Sequence, residues 1–442
     1  MLGLHLGLLL VFDLAHHWIL TLALLGAAFA WFLRLGKAPG RVILWGALLL
    51  RLPLLPLPPT LSDDGLRYLW DGKVAAAGHN PYALSPAARE LAPLRDEVWR
   101  RLPHKQIPTV YPPLSVAAFS IASRFPFPLL VWKGIATAAD LGACALLLAL
   151  ARRRGLPEER AIWYAWNPLV ALEVAGMGHV DALGVAAVLG AVLALTPRPG
   201  QALSRTAPLR SAVWAAAGAL AKLVPLAAVP MWARIGRRPW TFAAAACGLT
   251  AAGLFPVIAA ARTTGGLPPG LRAYSLSWEF NGPAYEPLWR LLDRAGAAPA
   301  LASGLDALER RTRRWDLGDP FYPYLYPQLL AKAVLGAGAL AAVGLSLRER
   351  DPVAGSGRLF SRLLLLAATV YPWYLLWVLP WAALARHRAW LALSALSLLS
   401  YIPQVTGRPL FPGFYLAVWA PFAALLLLGR DSFDLPEPGG GR

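Results

Sequence analysis

The sequence predicts an all-α, polytopic integral membrane protein. Of its 442 residues, 57% are hydrophobic and the mean hydropathy is +0.50, which is far too apolar for an ordinary soluble protein. Many apolar stretches approach the roughly 20 residues that cross a bilayer as a helix. Short basic clusters separate these stretches, as in the cytoplasmic loops of membrane proteins. We therefore expect a bundle of about 11–13 transmembrane helices.

The basic clusters also predict the orientation, because cytoplasmic loops carry an excess of Lys and Arg. With every cluster inside, Leu14–Leu35 crosses towards the cytoplasm and Val42–Pro59 crosses back. The segment that follows Pro59 is then expected on the outer side. The clusters are Arg34/Lys37/Arg41, Arg152–Arg154 with Arg160, Arg198/Arg205/Arg210, Arg234/Arg237/Arg238, Arg348/Arg350/Arg358, Arg386/Arg388 and Arg430.

Three apolar stretches begin and end at cytoplasmic clusters and carry helix breakers near their middle. The stretches are Ala161–Thr196, Ser211–Arg234 and Leu359–Arg386. Their breakers are Asn167-Pro168 with Gly176–His179, then Lys222–Pro225, then Tyr371–Tyr374. Irregular backbone at membrane depth is tolerated only where it is buried or lines a cavity. We expect hairpins of broken helices whose breaks point into a site.

Two long polar loops are expected on the outer side, at residues 60–108 and 262–326. Thr109–Ser123 fits either a crossing or a surface helix that leads into Leu129–Leu150. Residues 1–430 are predicted to form a single transmembrane domain, and residues 431–442 a disordered tail. No basic region precedes the first apolar residues, so the first helix is expected to be a retained anchor.

Charge and cysteine content argue against several functional classes. The net charge of +18 comes mainly from the short clusters, so membrane lipids and lipid phosphates are expected partners and nucleic acid is not. Cys144 and Cys247 lie inside apolar segments with no Cys or His at metal-ligand spacing. A disulfide framework or a zinc site is therefore not expected. We expect no cofactor and no metal, although a metal ion at Asp63 and Asp64 is left open.

Asp63 and Asp64 directly follow a bilayer-length apolar stretch, where two adjacent carboxylates are costly. In a helix that begins here, Asp64, Tyr68 and Asp71 share one face, and Arg67 lies beside them. Neighbouring carboxylates raise each other's proton affinity, which suits a general base. Asp64 is therefore the candidate base, whereas Asp63 fits either direct chemistry or the N-cap of this helix.

Several cations are candidates for binding a phosphate. The Arg67 guanidinium lies close to the candidate base, and His104-Lys105 fits either a phosphodiester site or a headgroup anchor. Lys222 lies inside an apolar stretch, where a buried cation needs an anion. A lipid phosphate would supply that anion.

Other ionisable residues lie within apolar stretches. Glu173, His179 and Asp181 belong either to the site or to a purely structural polar cluster, because such residues face a cavity or the bundle interior. Lys133 and Asp140 lie on one face of a predicted helix and are expected to neutralise each other.

Aromatic, carboxylate and amide side chains form a further group of candidates. Trp278, Glu279 and Asn281 combine the groups that carbohydrate recognition uses, and Trp373 with Tyr374 offers more aromatic surface. Aromatic residues also anchor proteins at membrane interfaces, so both interpretations stay open. The segment Gly78-His79-Asn80-Pro81-Tyr82 fits either a turn or a binding loop.

Together these motifs resemble the GT-C glycosyltransferases, which are membrane enzymes that use polyprenyl-phosphate sugars. Asp64-x-x-x-Tyr68 is similar to their signature, a loop aspartate after an early transmembrane helix. The resemblance covers about residues 42–385 and points to the bacterial mannosyltransferase-like branch. The further motifs are Arg67-Tyr68-x-Trp70-Asp71-Gly72, Asn80-Pro81-Tyr82, Tyr111-Pro112-Pro113, Asn167-Pro168, Gly178-His179-x-Asp181, Lys222-x-x-Pro225 and Pro372-Trp373-Tyr374. One departure is Tyr371, which stands where related proteins often have His.

The resemblance implies a GT-C-like bundle in the bacterial inner (cytoplasmic) membrane, with its active site on the extracytoplasmic side. It implies inversion at the anomeric carbon, with Asp64 as the base and a polyprenyl-phosphate hexose, with mannose favoured, as donor. The acceptor would be a glycolipid or a glycan. The predicted substrate-binding positions within the resembling motifs are Tyr68, Asp71, Asn80, Tyr82, Tyr111, His179, Asp181, Trp373 and Tyr374; Trp278, Glu279 and Asn281 are added for their side-chain composition alone.

Two alternative functions share many of these features. A transporter or flippase for a polyprenyl-linked sugar would also have broken helices and internal charges, but it would concentrate its acidic residues at the bilayer midplane. The densest acidic group here lies at the predicted outer surface, which favours the enzyme. A polymerase or ligase for lipid-linked oligosaccharides keeps the same chemistry with a larger donor.

Overall fold

The computed structural model describes residues 1–264, 266–316 and 318–435. These residues are helical and form no strand, which confirms the predicted all-α class; Phe280 and Asn281 make isolated bridges to Thr369. The first helices are α1 (Leu2–Val11), α2 (Trp18–Phe32), α3 (Gly40–Arg51), α4 (Asp64–Ala76), α5 (Glu97–Arg101), α6 (Pro113–Ala122), α7 (Pro128–Arg153), α8 (Ile162–Ala165), α9 (Pro168–Ala171) and α10 (Asp181–Leu195).

The helices that follow continue to the C-terminal region. They are α11 (Ala207–Ala221), α12 (Val229–Ile235), α13 (Pro239–Gly253), α14 (Phe255–Thr264), α15 (Pro269–Ser277), α16 (Tyr285–Arg294), α17 (Ala297–Thr312), α18 (Pro327–Ser346), α19 (Pro352–Leu365), α20 (Leu379–Ala385), α21 (Arg388–Leu396), α22 (Tyr401–Thr406) and α23 (Gly413–Leu428).

Within the described ranges, three helical segments are long and apolar enough to cross a membrane: α7, α18 and Arg388–Thr406. A fourth candidate joins Pro239–Gly253 to Phe255–Arg262 through a bend of 59°. The segment left open at Thr109–Ser123 forms the ten-residue α6, a short helix that leads into α7. The number of about 11–13 crossings remains a prediction from sequence.

The predicted helix breaks are confirmed in all three stretches. A π-helical turn, Leu172–Gly176, interrupts the first stretch between α9 and α10. A 3-10 turn at Val224–Ala228 separates α11 from α12, and another at Pro372–Trp377 precedes α20. Pro225 and Pro372 in the two 3-10 turns lack the backbone N–H that a continuous helix needs, whereas the π-helical turn contains no proline and ends at Gly176, a poor helix former.

The central helix of the bundle is α7, which packs against α3, α6 and α10. Next to it, α4 packs closely against α6. This approach requires glycine at position 72, because a Cβ there would lie 2.5 Å from the carbonyl oxygen of Phe119. The residues that follow Asp64 are therefore held against the core by backbone contact.

The predicted pairing of Lys133 with Asp140 is wrong. Asp140 instead accepts from Arg51 Nε at 2.5 Å and from the Tyr164 hydroxyl at 2.7 Å. Lys133 Nζ donates to the carbonyl oxygens of Leu54 and Leu57, at 3.0 and 2.6 Å. Both charged side chains are fully buried. The partner of Asp140 is Arg51, the last residue of α3, and the partners of Lys133 lie in the segment between α3 and α4.

We expect Asp140→Ala to destabilise the fold by about 3–5 kcal/mol, because it leaves the buried Arg51 guanidinium without its counter-charge. Unfolding in SDS, followed by circular dichroism in mixed micelles, measures the change. Glu97→Ala is the matched control, because its ion pair with Arg100 is exposed. Equal stability of the two variants would contradict the expectation.

The first residues of the predicted disordered tail, 431–435, pack against earlier parts of the chain. Asp431 accepts from the backbone N–H of Arg388 at 2.8 Å, and Asp434 pairs with Arg358 at 2.6 Å. Phe433 is buried against Gly357. Residues 431–435 thus pack on the domain, while residues 436–442 lie outside the described residues.

Candidate active site

The helix breaks and both predicted outer loops meet around one cavity of about 350 Å³. Two of the three predicted breaks contribute Lys222, Tyr371, Trp373 and Tyr374, whereas the break at Gly176–His179 is buried and only the following Val180 lines the cavity. The first loop contributes Asp63, Asp64, Arg67 and His104, followed by Tyr111. The second loop contributes Tyr274 and Trp278, and Gln404 completes one wall.

A second cavity of about 360 Å³ adjoins the first. It shares Val224, Tyr274, Trp278 and Tyr374 with the first cavity. The remaining lining is mostly apolar and comes from α18 and α19. The two spaces therefore form a polar compartment with an apolar extension beside a candidate membrane span.

Asp64 is the first residue of α4, as predicted, and Asp63 occupies the N-cap position. The Asp63 side chain makes no capping hydrogen bond; Ser62 Oγ accepts from the Asp64 N–H instead, at 3.3 Å. One turn later, the Tyr68 hydroxyl donates to Asp64 Oδ2 at 3.3 Å. The predicted helical face of Asp64 and Tyr68 is confirmed.

The Asp64 carboxylate lies in a largely aromatic, water-poor environment. Its side chain is 35% exposed, but that surface faces the cavity, so the surrounding protein still displaces most bulk water. Burial raises the pKa of Asp64 to about 6; Lys222 opposes this shift and Asp181 adds to it. A carboxylate with this pKa is ionised at neutral pH and can still accept a proton.

Lys222 lies at the end of α11, where the helix breaks. Its Nζ is 2.6 Å from Asp181 Oδ1 and lies 4.5 Å from the centre of the Tyr374 ring. Trp377 Nε1 also donates to Asp181 Oδ1, at 2.6 Å. The Lys222 side chain is 21% exposed, so this fixed cation remains accessible from the cavity.

His179 is placed beside Asp64 by the π-helical turn. Gly178 adopts a φ of +80°, which favours glycine, and the His179 N–H then donates to the carbonyl oxygen of Glu173. The imidazole stacks on Trp373 with ring centres 3.8 Å apart. His179 is fully buried, so it reaches the site from behind Asp64.

Two neighbouring residues of α7 hold the segments that carry these groups. Trp132 Nε1 donates to the carbonyl oxygen of Gly178 at 2.7 Å. Lys133 donates to the carbonyl oxygens of Leu54 and Leu57, shortly before α4 begins. The relative position of Asp64 and His179 is therefore set by one long helix.

Arg67 and His104 both line the cavity, as the phosphate-binding prediction requires. Arg67 is partly engaged, because its guanidinium contacts Asp71 at 3.2 Å and donates to the Ile107 carbonyl oxygen at 3.0 Å. The His104 ring packs 5.2 Å from the Trp278 ring. That contact joins the two long loops.

Lys105 and Asp71 are among the predicted site residues that do not line the cavity. Lys105 Nζ donates to the carbonyl oxygen of Arg100 and lies over the Trp99 ring. Asp71 is 2% exposed and pairs with Arg67. Burial raises the pKa of Asp71, and the guanidinium opposes that shift.

The predicted turn residues support the cavity wall rather than line it. Asn80 Oδ1 accepts from the Tyr82 N–H at 3.0 Å, and Asn80 Nδ2 donates to the Pro256 carbonyl oxygen. The Tyr82 hydroxyl donates to the carbonyl oxygen of Tyr111 at 2.8 Å. This hydrogen bond fixes the backbone next to a cavity residue.

Glu279 and Asn281 point to other partners. Glu279 Oε1 lies 3.0 Å from Lys332 Nζ. The buried Asn281 accepts from Trp419 Nε1 at 2.8 Å and anchors the second loop to α23. Trp278 is thus the member of this predicted group that lines the cavity.

Sequence reasoning missed Tyr274 and Gln404. The Tyr274 hydroxyl lies 2.7 Å from the Tyr374 hydroxyl and links the second loop to a helix break. Its signal was its position one helical turn before Trp278. Gln404 has no comparable signal in the sequence.

No group of three or more His, Cys, Asp or Glu side chains within the described ranges could hold a metal ion. The cavity brings Asp64, a carboxylate that can accept a proton, together with Lys222 and Arg67, which can meet negative charge. A general base and fixed cations are the groups needed for a hydroxyl nucleophile to displace an anionic leaving group.

A family model described as "Alpha-(1->6)-mannopyranosyltransferase, N-terminal domain" matches residues 4–236. Searches among curated proteins and among solved structures found no match. The matched segment contains Asp64, His179 and Lys222 and covers more than half of the 442 residues. The chain therefore belongs to the alpha-(1->6)-mannopyranosyltransferase family and is a glycosyltransferase.

Proposed function

We propose that this membrane enzyme transfers mannose, with inversion, from a polyprenyl-phosphate donor to a glycolipid or glycan acceptor. The observation that carries this proposal is the shared cavity that pairs Asp64 with Lys222 and continues into an apolar space. Its volume is within the range of about 300–1,000 Å³ that is usual for ligand sites.

The proposed reaction begins at the acceptor hydroxyl. Its oxygen attacks C1 of the mannosyl group from the face opposite the phosphate, and its proton passes to Asp64. The C1–O bond to phosphate breaks, and its electron pair stays on the phosphate oxygen. Attack from the opposite face inverts the configuration at C1.

The leaving phosphate needs positive charge rather than a proton. Lys222 lines the cavity as an accessible cation, and Arg67 and His104 line it from the first loop. Fixed charges in a water-poor site lower the barrier because they need no reorganisation as charge develops. These residues are the proposed phosphate site.

The apolar extension supports a lipid-linked donor. Leu335, Gly336 and Ala339 line it from α18, a candidate membrane span. A polyprenyl chain in this space would place its phosphate near Tyr274 and Tyr374, which border both cavities. A nucleotide sugar has no apolar part that would gain from the extension.

The contact between the two long loops supports a position of both loops on the same side of the membrane, next to the cavity. His104 from the first loop and Trp278 from the second meet at the cavity. We propose that this face is the extracytoplasmic side of the bacterial inner membrane. A GT-C-like bundle of about 11–13 crossings would bring the broken helices to it.

The test supplies purified wild type in detergent with a membrane-extracted acceptor and one donor at a time. The donors are polyprenyl-phosphate mannose, a nucleotide-linked mannose and a polyprenyl-diphosphate oligosaccharide. We expect release of polyprenyl phosphate from the first donor and an α-mannosidic product by NMR. Turnover of the nucleotide donor instead, or retention of the donor's anomeric configuration, would contradict the proposal.

A further inference from the structure

A chain of buried polar groups runs from Asp64 into the protein. His179 Nδ1 lies 3.7 Å from Asp64 Oδ2, and His179 Nε2 lies 3.2 Å from Glu173 Oε2. The Tyr401 hydroxyl lies 2.9 and 3.0 Å from the two Glu173 oxygens. His179, Glu173 and Tyr401 are buried behind the cavity, so none of the three is placed to hold substrate.

Glu173 lacks a cationic partner among the described residues. Its carboxylate contacts the Tyr401 hydroxyl and the His179 imidazole, and neither is a fixed cation. A fully buried carboxylate without a counter-charge is strongly disfavoured, so the neutral carboxyl form is the stable one. In that form Glu173 has one O–H to donate and still accepts from Tyr401.

The Glu173 proton determines the tautomer of His179. If the carboxyl O–H donates to Nε2, that nitrogen must be unprotonated, and the ring proton is on Nδ1. Nδ1 faces Asp64 Oδ2, the same oxygen that the Tyr68 hydroxyl contacts. Trp373 stacks on the ring and keeps its plane in this orientation.

We propose that His179 is a positioning residue that presents Nδ1–H to Asp64, with its tautomer set by Glu173 and Tyr401. The inference rests on the proposed function only in that Asp64 is the base. Neither ring nitrogen makes a well-aligned hydrogen bond within the described residues. Such bonds commonly shorten when substrate binds, and a small closure would bring Nδ1–H onto the carboxylate.

This arrangement predicts a pH effect whose sign is fixed. A donor to the ionised carboxylate lowers the pKa of Asp64, so losing that donor raises the pKa. Because the base works only when ionised, the rate falls as pH falls through this pKa. The acidic limb of the rate profile therefore moves to higher pH when Nδ1–H is lost. The other titratable and charged groups facing Asp64 are Tyr68, Tyr111, Asp181, Lys222, Tyr274, Tyr371 and Tyr374.

Three substitutions of His179 separate positioning from packing. His179→Phe keeps the stack on Trp373 but has no donor, and we expect kcat to fall about 10–100-fold with an upward shift of the acidic limb. His179→Asn places an amide nitrogen near the Nδ1 position and should restore much of kcat and return the acidic limb towards its wild-type position. His179→Gln places its amide near Nε2 and should restore neither. A rise in KM with unchanged kcat, or equal rates for Asn and Gln, would overturn the proposal.

Substitutions of Glu173 test the tautomer assignment independently. Glu173→Gln keeps a neutral donor and should stay within about threefold of wild type, whereas Glu173→Leu should resemble His179→Phe. Equal loss in Glu173→Gln and Glu173→Leu would mean that an ionised carboxylate is needed, and it would overturn the tautomer assignment. Melting curves in detergent identify any variant whose loss comes from unfolding.

A second readout does not depend on the donor. Carbodiimide with glycine ethyl ester modifies protonated carboxyl groups, and mass spectrometry of the Asp64 peptide follows that labelling against pH. We expect a higher midpoint in His179→Phe than in wild type, and a value near that of wild type in His179→Asn. One midpoint for all three proteins would overturn the inference. Failure of the donor assay with these midpoints intact would refute only the proposed function.

Discussion

Asp64→Asn is expected to reduce turnover by about 10²–10⁴-fold, the usual contribution of a general base. The amide has nearly the same shape as the carboxylate and can still contact Tyr68, but it cannot accept the acceptor's proton. Release of polyprenyl phosphate under saturating donor and acceptor measures the effect. The acceptor KM should change little, because the loss is confined to the chemical step.

Two matched substitutions control this experiment. Asp96→Asn makes the same change elsewhere in the first loop, where Asp96 pairs with Lys73, and it should leave turnover unchanged. Asp63→Asn changes the neighbouring carboxylate, which lines the cavity without a capping bond, and it should cost less than about tenfold. Full activity in Asp64→Asn together with loss of activity in Asp63→Asn would show that Asp63, and not Asp64, is the base.

Lys222→Met is expected to lower kcat by about 10²–10³-fold, because it removes a fixed charge from the leaving phosphate. Methionine keeps much of the length and apolar character of the lysine stem, but it loses the cation–π contact of Nζ with the Tyr374 ring. Single-turnover release of polyprenyl phosphate isolates the chemical step from product dissociation. Lys222→Arg should retain more activity, because the positive charge remains.

The pairing of Lys222 with Asp181 complicates a single substitution, because Asp181 would be left buried without its cation. Lys222→Met combined with Asp181→Asn removes both charges and restores a neutral pair. We expect this double variant to recover stability but not kcat. Recovery of kcat in the double variant would show that Lys222 serves the fold rather than the phosphate.

Local patterns predicted the parts of the site that lie on a single helix or at a helix break. Asp64 and Tyr68 are one turn apart, so their contact follows from helical geometry. Lys222 and Trp373 lie at breaks within apolar stretches, and irregular backbone at that depth is tolerated only where it is buried or lines a cavity. These two rules need no knowledge of the tertiary structure.

Long-range partners were beyond this reasoning. Asp140 pairs with Arg51, which is 89 residues away, because the packing of α3 against α7 brings a guanidinium closer than Lys133. Glu279 and Asn281 had the composition of a sugar site, yet each binds a structural partner from a later helix. Tyr274 joined the cavity through a contact with Tyr374, 100 residues later in the chain. Sequence spacing carries no information on such contacts.

The cavity is built from two parts of the chain. The matched family segment ends at residue 236 and includes Lys222 and the proposed base Asp64. Another part of the lining, with Tyr274, Trp278 and Trp373, comes from residues beyond that segment. Chimeras that exchange residues after 236 between family members should therefore keep the chemistry and change which sugar or acceptor is accepted.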